Sequence, residues 1–204
     1  MLVTFTRTGE RRYAVRAAVE GLPDMEMNPA PGYDPLMPHD LQHFIVERAL
    51  GIEGAIYGQL AAGGTVGTFH SVTQSGDHRA AARARRKQDR KSSRLMSGHV
   101  EDCARSERAT YVCWHDWLSH SKEAALRAKA LVMSATARSI LLGMPAAERA
   151  LFTVEKLGEL RADFSALSER WSVLRIGEGF TEQWQCGSEF WRGAVSQTGQ
   201  TRRF

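Results

Sequence analysis

Alternation of apolar and polar residues marks both ends of the chain as β-structure. In residues 3–19, VTFTRTGERRYAVRAAV, apolar residues recur at every second position around a Thr-Gly-Glu turn, namely Val3, Phe5, Tyr13 and Val15. This pattern predicts a β-hairpin with its turn near residues 8–10. A second strand–turn–strand pattern surrounds residues 177–179, and we expect the two hairpins to join in one small antiparallel sheet.

Helical periodicity dominates between these ends. One helix is predicted from about residue 38 to residue 50, where Gly51 ends it, and a second in residues 53–64. Helix resumes at residue 97 with a break near 119–121, and Pro145 opens another helix. That last helix has apolar residues at alternating spacings of three and four, at Leu157, Leu160, Phe164, Leu167, Trp171 and Leu174. We expect it to pack against the preceding helix as an antiparallel pair, which makes the predicted fold class α+β and mainly helical.

The segment between these two halves is polar. Residues 74–95 have almost no apolar positions, so they predict either a mobile linker or an exposed helix without packing. The chain therefore divides into residues 1–73 with the N-terminal hairpin and motif helices, a basic linker at 74–95, and residues 96–204. At 204 residues, we expect one domain overall.

The number of cysteines and the length of the apolar runs indicate the cellular compartment. The three cysteines, Cys103, Cys113 and Cys186, are too few and too scattered for a disulfide framework, which fits a reducing compartment. Charged residues occur early, so no signal peptide is expected, and no run reaches the roughly 20 apolar residues of a transmembrane helix. These observations predict a cytoplasmic location.

Positive charge is concentrated in one short stretch. The net charge is +4, yet residues 79–94 contain eight Arg or Lys and one Asp, so the rest of the chain is negative. A contact with nucleic acid or another polyanion is one interpretation, and a membrane surface or a solvated linker are others. The stretch lacks aromatic residues for base stacking. The residues predicted to contact nucleic acid are Arg83, Arg85, Arg86, Lys87, Arg90 and Lys91.

The candidate functional site lies in the first predicted helix, in the sequence PHDLQHFIVERALG. At about 100° per residue, His39, His43, Glu47 and Asp40 occupy one face about 100° wide. Imidazoles four residues apart on a helix can reach one cation, and zinc accepts nitrogen and carboxylate oxygen. The pattern therefore predicts zinc or another divalent metal bound by His39, His43 and Glu47.

Asp40 is the predicted catalytic residue, as a general base or as a partner of the ligands. Helical zinc peptidases place a glutamate directly after the first histidine of H-x-x-x-H, and the aspartate here is one methylene shorter. His70 is the predicted ligand from outside the helix. The alternative interpretation is a polar stripe on a surface helix, with His39 bonded to the preceding loop.

Two resemblances accompany this motif. PHDLQHFIVE, followed by GQLAAGGTVGTF and RWSVLRIGEGFT, resembles a group of uncharacterised bacterial proteins, and that resemblance implies architecture alone. Residues 39–43, HDLQH, are similar to the H-D-x-x-H zinc motif of the ubiquinone-biosynthesis family represented by coenzyme Q protein four. Its members are helical, bind zinc through both histidines, the aspartate and a later glutamate, and act on or scaffold a prenylated quinone precursor. That glutamate falls at Ala55, after a matching Gly54, so Glu47 or Glu53 would have to replace it.

The sequence thus predicts a cytoplasmic metal-binding protein, and a zinc-dependent enzyme of unassigned reaction if the ion keeps a position for water. The alternative function is a non-catalytic interaction module that binds nucleic acid or another polyanion through residues 79–94. A third interpretation is a scaffold with neither activity.

Overall fold

The computed structural model of the chain describes residues 1–72 and 78–185. Its sheet has five strands in the order β4-β3-β2-β1-β5, and every neighbouring pair is antiparallel. The strands are β1 (Leu2–Gly9), β2 (Arg12–Ala18), β3 (Met25–Ala30), β4 (His70–Ser71) and β5 (Gly179–Gln183). Because β1 pairs with both β2 and β5, the two ends of the described chain meet in one sheet, as predicted.

The N-terminal hairpin is confirmed, whereas the C-terminal hairpin is a single strand. Val3, Phe5 and Val15 are fully buried on one face of the sheet. At the other end, a helix ends at Ser172, and residues 173–178, predicted as the first C-terminal strand and its turn, form no strand. The turn passes Arg7, whose carbonyl accepts from Gly177 at 2.7 Å, and β5 begins at Gly179.

Seven helices lie in the described ranges and make the protein mainly helical. They are α1 (His39–Leu50), α2 (Ile56–Ala61), α3 (His78–Gly98), α4 (Val100–Ser119), α5 (Ala124–Gly143), α6 (Ala146–Arg149) and α7 (Val154–Ser172). The long-helix pair consists of α4 and α5, joined by residues 120–123, which confirms the predicted break. Helix α7 packs on α4 and α1 through four buried residues of the predicted stripe, Leu160, Phe164, Leu167 and Trp171. The prediction that this helix pairs with the preceding long helix, α5, is therefore wrong.

Helix α1 is buried from Asp40 to Glu47, while His39 at its start is exposed. Pro38 precedes it with φ −58°, which suits a helix start, and Gly51 ends it with φ +63°, a left-handed conformation that glycine adopts without strain. Its apolar residues Leu41, Phe44 and Ile45 are fully buried. The Phe44 ring contacts Phe5 of the sheet edge-on, with centroids 5.8 Å apart. A helix so placed holds its polar side chains in fixed positions.

The sequence left a linker or an unpacked helix open for residues 74–95; residues 74–77 lie outside the described ranges, and the rest belong to α3. The helix docks on the glycine turn after α2, where Gln88 donates to the carbonyl of Gly63 at 2.6 Å. The hydroxyl of buried Ser92 accepts from both the amide and the hydroxyl of Thr65 at 2.9 Å. The predicted division at residues 73 and 95 stays a prediction. In the two described ranges, no helix combines the length and the apolar character needed to cross a bilayer.

Candidate metal centre

Three side chains that can bind a metal converge where α1 packs on α4. His39 and His43 lie one turn apart at the start of α1, and Glu107 extends from the middle of α4. The ligand atoms of these three residues all lie within 4.8 Å of one another. The imidazole centroids are 4.5 Å apart with the ring planes at 79°. His39 and Glu107 are exposed while His43 is buried, so the group opens to solvent on one side.

His43 has one imidazole nitrogen bonded and the other without a partner. Its side chain is 1% exposed, and Nδ1 lies 2.7 Å from the hydroxyl of Ser106. Nε2 is buried and has no hydrogen-bond partner within the part of the chain that the structure describes. It lies 3.6 Å from Oε2 of Glu107, too far for a hydrogen bond. Buried polar atoms are nearly always satisfied, so this nitrogen marks a position where a ligand between the three residues could be held.

The hydroxyl of Ser106 determines which His43 nitrogen faces that position. Ser106 donates to Oε1 of Glu47 at 2.7 Å, and a serine has one hydrogen to donate. The Nδ1 atom of His43 must therefore be the donor toward Ser106, which leaves Nε2 as the acceptor of the neutral ring. Metal-bound histidines in proteins usually donate their second ring hydrogen in this way, because the bond fixes the ring and its tautomer.

Glu47, predicted as a metal ligand, is not brought into this group. Its carboxylate is fully buried, and it accepts from the amides of Ile56 at 3.3 Å and Tyr57 at 3.0 Å, which begin α2. A carboxylate there accepts from amides that have no partner within the helix, and the positive end of the helix dipole stabilises its negative charge. Oε1 lies 3.7 Å from Nδ1 of His43, the nitrogen on the far side of the ring from Glu107. Glu47 thus holds His43 in place from the side of the ring that faces away from Glu107, both directly and through Ser106.

Asp40, predicted as the catalytic base, is directed toward the sheet. Its carboxylate accepts a hydrogen bond from the hydroxyl of Tyr13 on β2, and its main-chain oxygen accepts from the hydroxyl of Tyr57 at 2.7 Å. Burial raises the pKa of this carboxyl group above its ordinary value, although the bond from Tyr13 opposes the rise. Asp40 links α1 to β2 and α2, and it does not join the three converging side chains.

A glycine in the preceding loop allows His39 to take its place. The main-chain amide of His39 donates to the carbonyl of Gly32 at 3.0 Å. Gly32 has φ +78°, and a Cβ there would lie 2.7 Å from Cβ of His39. Any side chain at residue 32 would therefore strain the loop and push His39 away from His43.

The charges around the site favour the metal-binding forms of two of its three residues. Partial burial and the neighbouring charge of His43 lower the pKa of His39, so His39 is neutral at pH 7 with a nitrogen lone pair available. Interaction with the His43 ring lowers the pKa of Glu107, which keeps that carboxylate ionised. Burial alone would lower the pKa of His43, but the carboxylates of Glu107 and Glu47 outweigh it and raise that pKa to about 9.

The stability of the metal-free protein should therefore fall in mildly alkaline solution. The pKa of His43 is about 9 in the folded protein and about 6.5 when unfolded, so its stabilising contribution is complete below pH 6.5 and lost as pH rises through 9. The shift corresponds to at most about 3 kcal/mol of unfolding free energy. Urea unfolding with a chelator at pH 6.5 and pH 9 measures the change. A His43→Gln variant should lose most of this pH dependence, and an equal dependence in both proteins would contradict the assignment.

Sequence reasoning did not find Glu107, because nothing local connects it with the histidines. His43 and Ser106 are 63 residues apart in the chain. The available signal was a pair of small polar residues one turn apart, Ser106 and Thr110, which are both buried on the face of α4 toward α1. Polar residues in an apolar helix stripe indicate a buried polar partner. His70, the predicted outside ligand, lies exposed on β4 and is not part of the group.

Comparison of the chain with protein-family models, with curated proteins and with solved structures finds no match.

Proposed function

We propose that this protein binds one zinc ion through His39, His43 and Glu107. The observation that carries the proposal is the buried Nε2 atom of His43, which has no partner among the described residues and faces the other two side chains. Two imidazole nitrogens and one carboxylate oxygen form a donor set that zinc accepts. A softer metal would favour thiolates, and calcium or magnesium would favour an all-oxygen set.

The distances require only small side-chain movements. Ligand atoms about 2.0–2.2 Å from a tetrahedral ion are separated by about 3.4 Å. Nε2 of His43 and Oε2 of Glu107 are already 3.6 Å apart. His39 and Glu107 are exposed and can rotate inward, whereas His43 is held by Ser106. One fixed side chain and two that can rotate are sufficient to bring three ligand atoms to coordination distance of one zinc ion.

Three protein ligands leave one position of a tetrahedral zinc ion for water. Structural zinc sites are closed by four protein ligands, whereas catalytic sites keep a water whose pKa falls to about 7. The exposed side of this group is where that water would lie. We propose a solvent-open centre of the catalytic type, and we assign Asp40 no proton-transfer step because its carboxylate is bonded to Tyr13. A cytoplasmic location, in which Cys103 and Cys113 stay free thiols, completes the proposal.

Cobalt and zinc titrations of the chelator-treated protein test this proposal. Protein without an affinity tag should bind one equivalent of Co²⁺ with the intense visible absorption of a tetrahedral site, and zinc should displace it. Glu107→Gln keeps the shape of the side chain but removes its charge, so we expect zinc affinity to fall at least tenfold. Glu101→Gln, the same substitution at an exposed position on α4, should bind normally. Absence of stoichiometric Co²⁺ binding, or unchanged affinity of Glu107→Gln, would contradict the proposal.

A further inference from the structure

Helix α3 carries most of its positive charge on one side. On a helix with about 100° per residue, six cations besides Arg79 fall within an arc of about 140°, and all six are exposed. We call these residues the basic face: Arg83, Arg86, Lys87, Arg90, Lys91 and Arg94. Arg85 falls about 200° from Arg83 and lies outside it, although the sequence grouped it with the others.

The opposite side of α3 holds the helix against the protein. Gln88 and Ser92, which contact the turn at residues 63–65, lie about 140° and 180° from Arg83 on the same wheel. The glycines of that turn permit a close approach, since a Cβ on Gly64 would lie 2.9 Å from Cδ1 of Leu95. The helix is therefore fixed in rotation, with most of its basic face directed to solvent, while the ammonium group of Lys91 lies beside the turn at Gly63.

The basic face has no charge partner of its own. None of its six cations forms an ion pair with a residue in the described ranges. Several lie four residues apart, as Arg83 and Lys87 do, and like charges at this spacing destabilise a helix. A ligand that carries many negative charges would relieve this repulsion between the cations.

We propose that the basic face of α3 binds the phosphate backbone of duplex nucleic acid without reading its bases. From Arg83 to Arg94 the face is about 17 Å long, and a duplex presents one negative charge about every 1.7 Å of its axis. The face lacks the aromatic side chains on which single strands stack. A helix lying in a membrane surface needs an apolar face, and the side of α3 opposite the cations makes polar contacts with the protein. This inference does not depend on the metal site.

Neutralising the basic face while preserving the rest of the protein tests the inference. The variant R83Q/K87Q/R90Q/R94Q should bind a 25-base-pair DNA duplex at least 30-fold more weakly than wild type in 100 mM salt, measured by fluorescence anisotropy. The slope of log affinity against log salt should become shallower by about 3 to 4, since each lost phosphate contact removes about 0.9. A charge-matched control, R11Q/R85Q/K122Q/R138Q, removes four exposed cations elsewhere and should bind within threefold of wild type.

Further variants and ligands distinguish the effect of side-chain charge from that of side-chain shape and identify the polyanion. R83K/R90K/R94K keeps the charge and should retain duplex binding, because each contact is to phosphate. An RNA duplex of equal length distinguishes the two sources of backbone phosphate. Circular dichroism spectra and thermal unfolding midpoints, equal in all variants, show that each is folded. The inference is overturned if wild type binds neither duplex at 50 mM salt, if the control loses binding equally, or if only vesicles of anionic lipid are bound.

Discussion

Replacing His43 with alanine is expected to lower zinc affinity at least 100-fold. His43 is the one ligand held rigidly in the interior, through Ser106, and it supplies the nitrogen that faces the other two residues. Loss of a residue that only orients a ligand typically costs 10- to 100-fold in affinity, so loss of the ligand should exceed that range. Competition with a chromogenic chelator, on protein freed of its purification tag, measures the difference.

Two companion variants make this result interpretable. His70→Ala removes an exposed imidazole on β4 and should leave zinc affinity unchanged. His39→Ala removes the exposed ligand with little effect on the interior, and it should weaken binding at least tenfold even if His43→Ala is poorly folded. Zinc binding by His39→Ala and His43→Ala with wild-type affinity would show that the ion, if bound, lies elsewhere.

Replacing Glu47 with alanine is expected to reduce the free energy of unfolding by about 3–5 kcal/mol, the range for removing one partner of a buried ion pair. The carboxylate is fully buried and accepts from Ser106 and from the first amides of α2. It also faces His43 at 3.7 Å. Alanine would leave these donors unsatisfied and would remove the fully buried carboxylate that faces the imidazole. Urea denaturation with a chelator present measures the change, since bound metal would alter apparent stability.

An exposed glutamate provides the matched control for this change. Glu169→Ala on α7 should alter the free energy of unfolding by no more than about 0.5 kcal/mol. Glu47→Gln keeps one acceptor oxygen and should fall between wild type and alanine. A loss below about 1 kcal/mol for Glu47→Ala would mean that the network around α2 is not a main support of the fold.

Local patterns in the sequence were sufficient for most secondary structure. The N-terminal hairpin, the bounds of α1 between Pro38 and Gly51 and the apolar stripe of α7 each follow from periodicity and from residues with restricted or unusual backbone preferences. The strand predicted before residue 177 is absent from the structure. The prediction was wrong because a short apolar run that follows a helix has the same pattern as a short strand. A short apolar run cannot be assigned by periodicity alone.

The site was predicted only as far as one helix can reveal it. A helical wheel gives the direction of a side chain, so it correctly identified His39 and His43 as neighbours. It cannot say which element a side chain meets. Glu47 shares their side of α1, but two turns from His39 it meets the start of α2, and the carboxylate beside the histidines comes from Glu107 on α4. That contact arises from packing between distant segments.

The single hydrogen of Ser106 affects how the proposed zinc ion would enter its site. Because that hydrogen is committed to Glu47, the orientation of the His43 ring is set by contacts within the protein, before any ion arrives. Many small zinc proteins unfold when a chelator removes the metal, since their sites exist only in the loaded state. Here the buried half of the site is built by packing and hydrogen bonds. The fold should therefore outlast the ion, and depletion and reloading should be reversible.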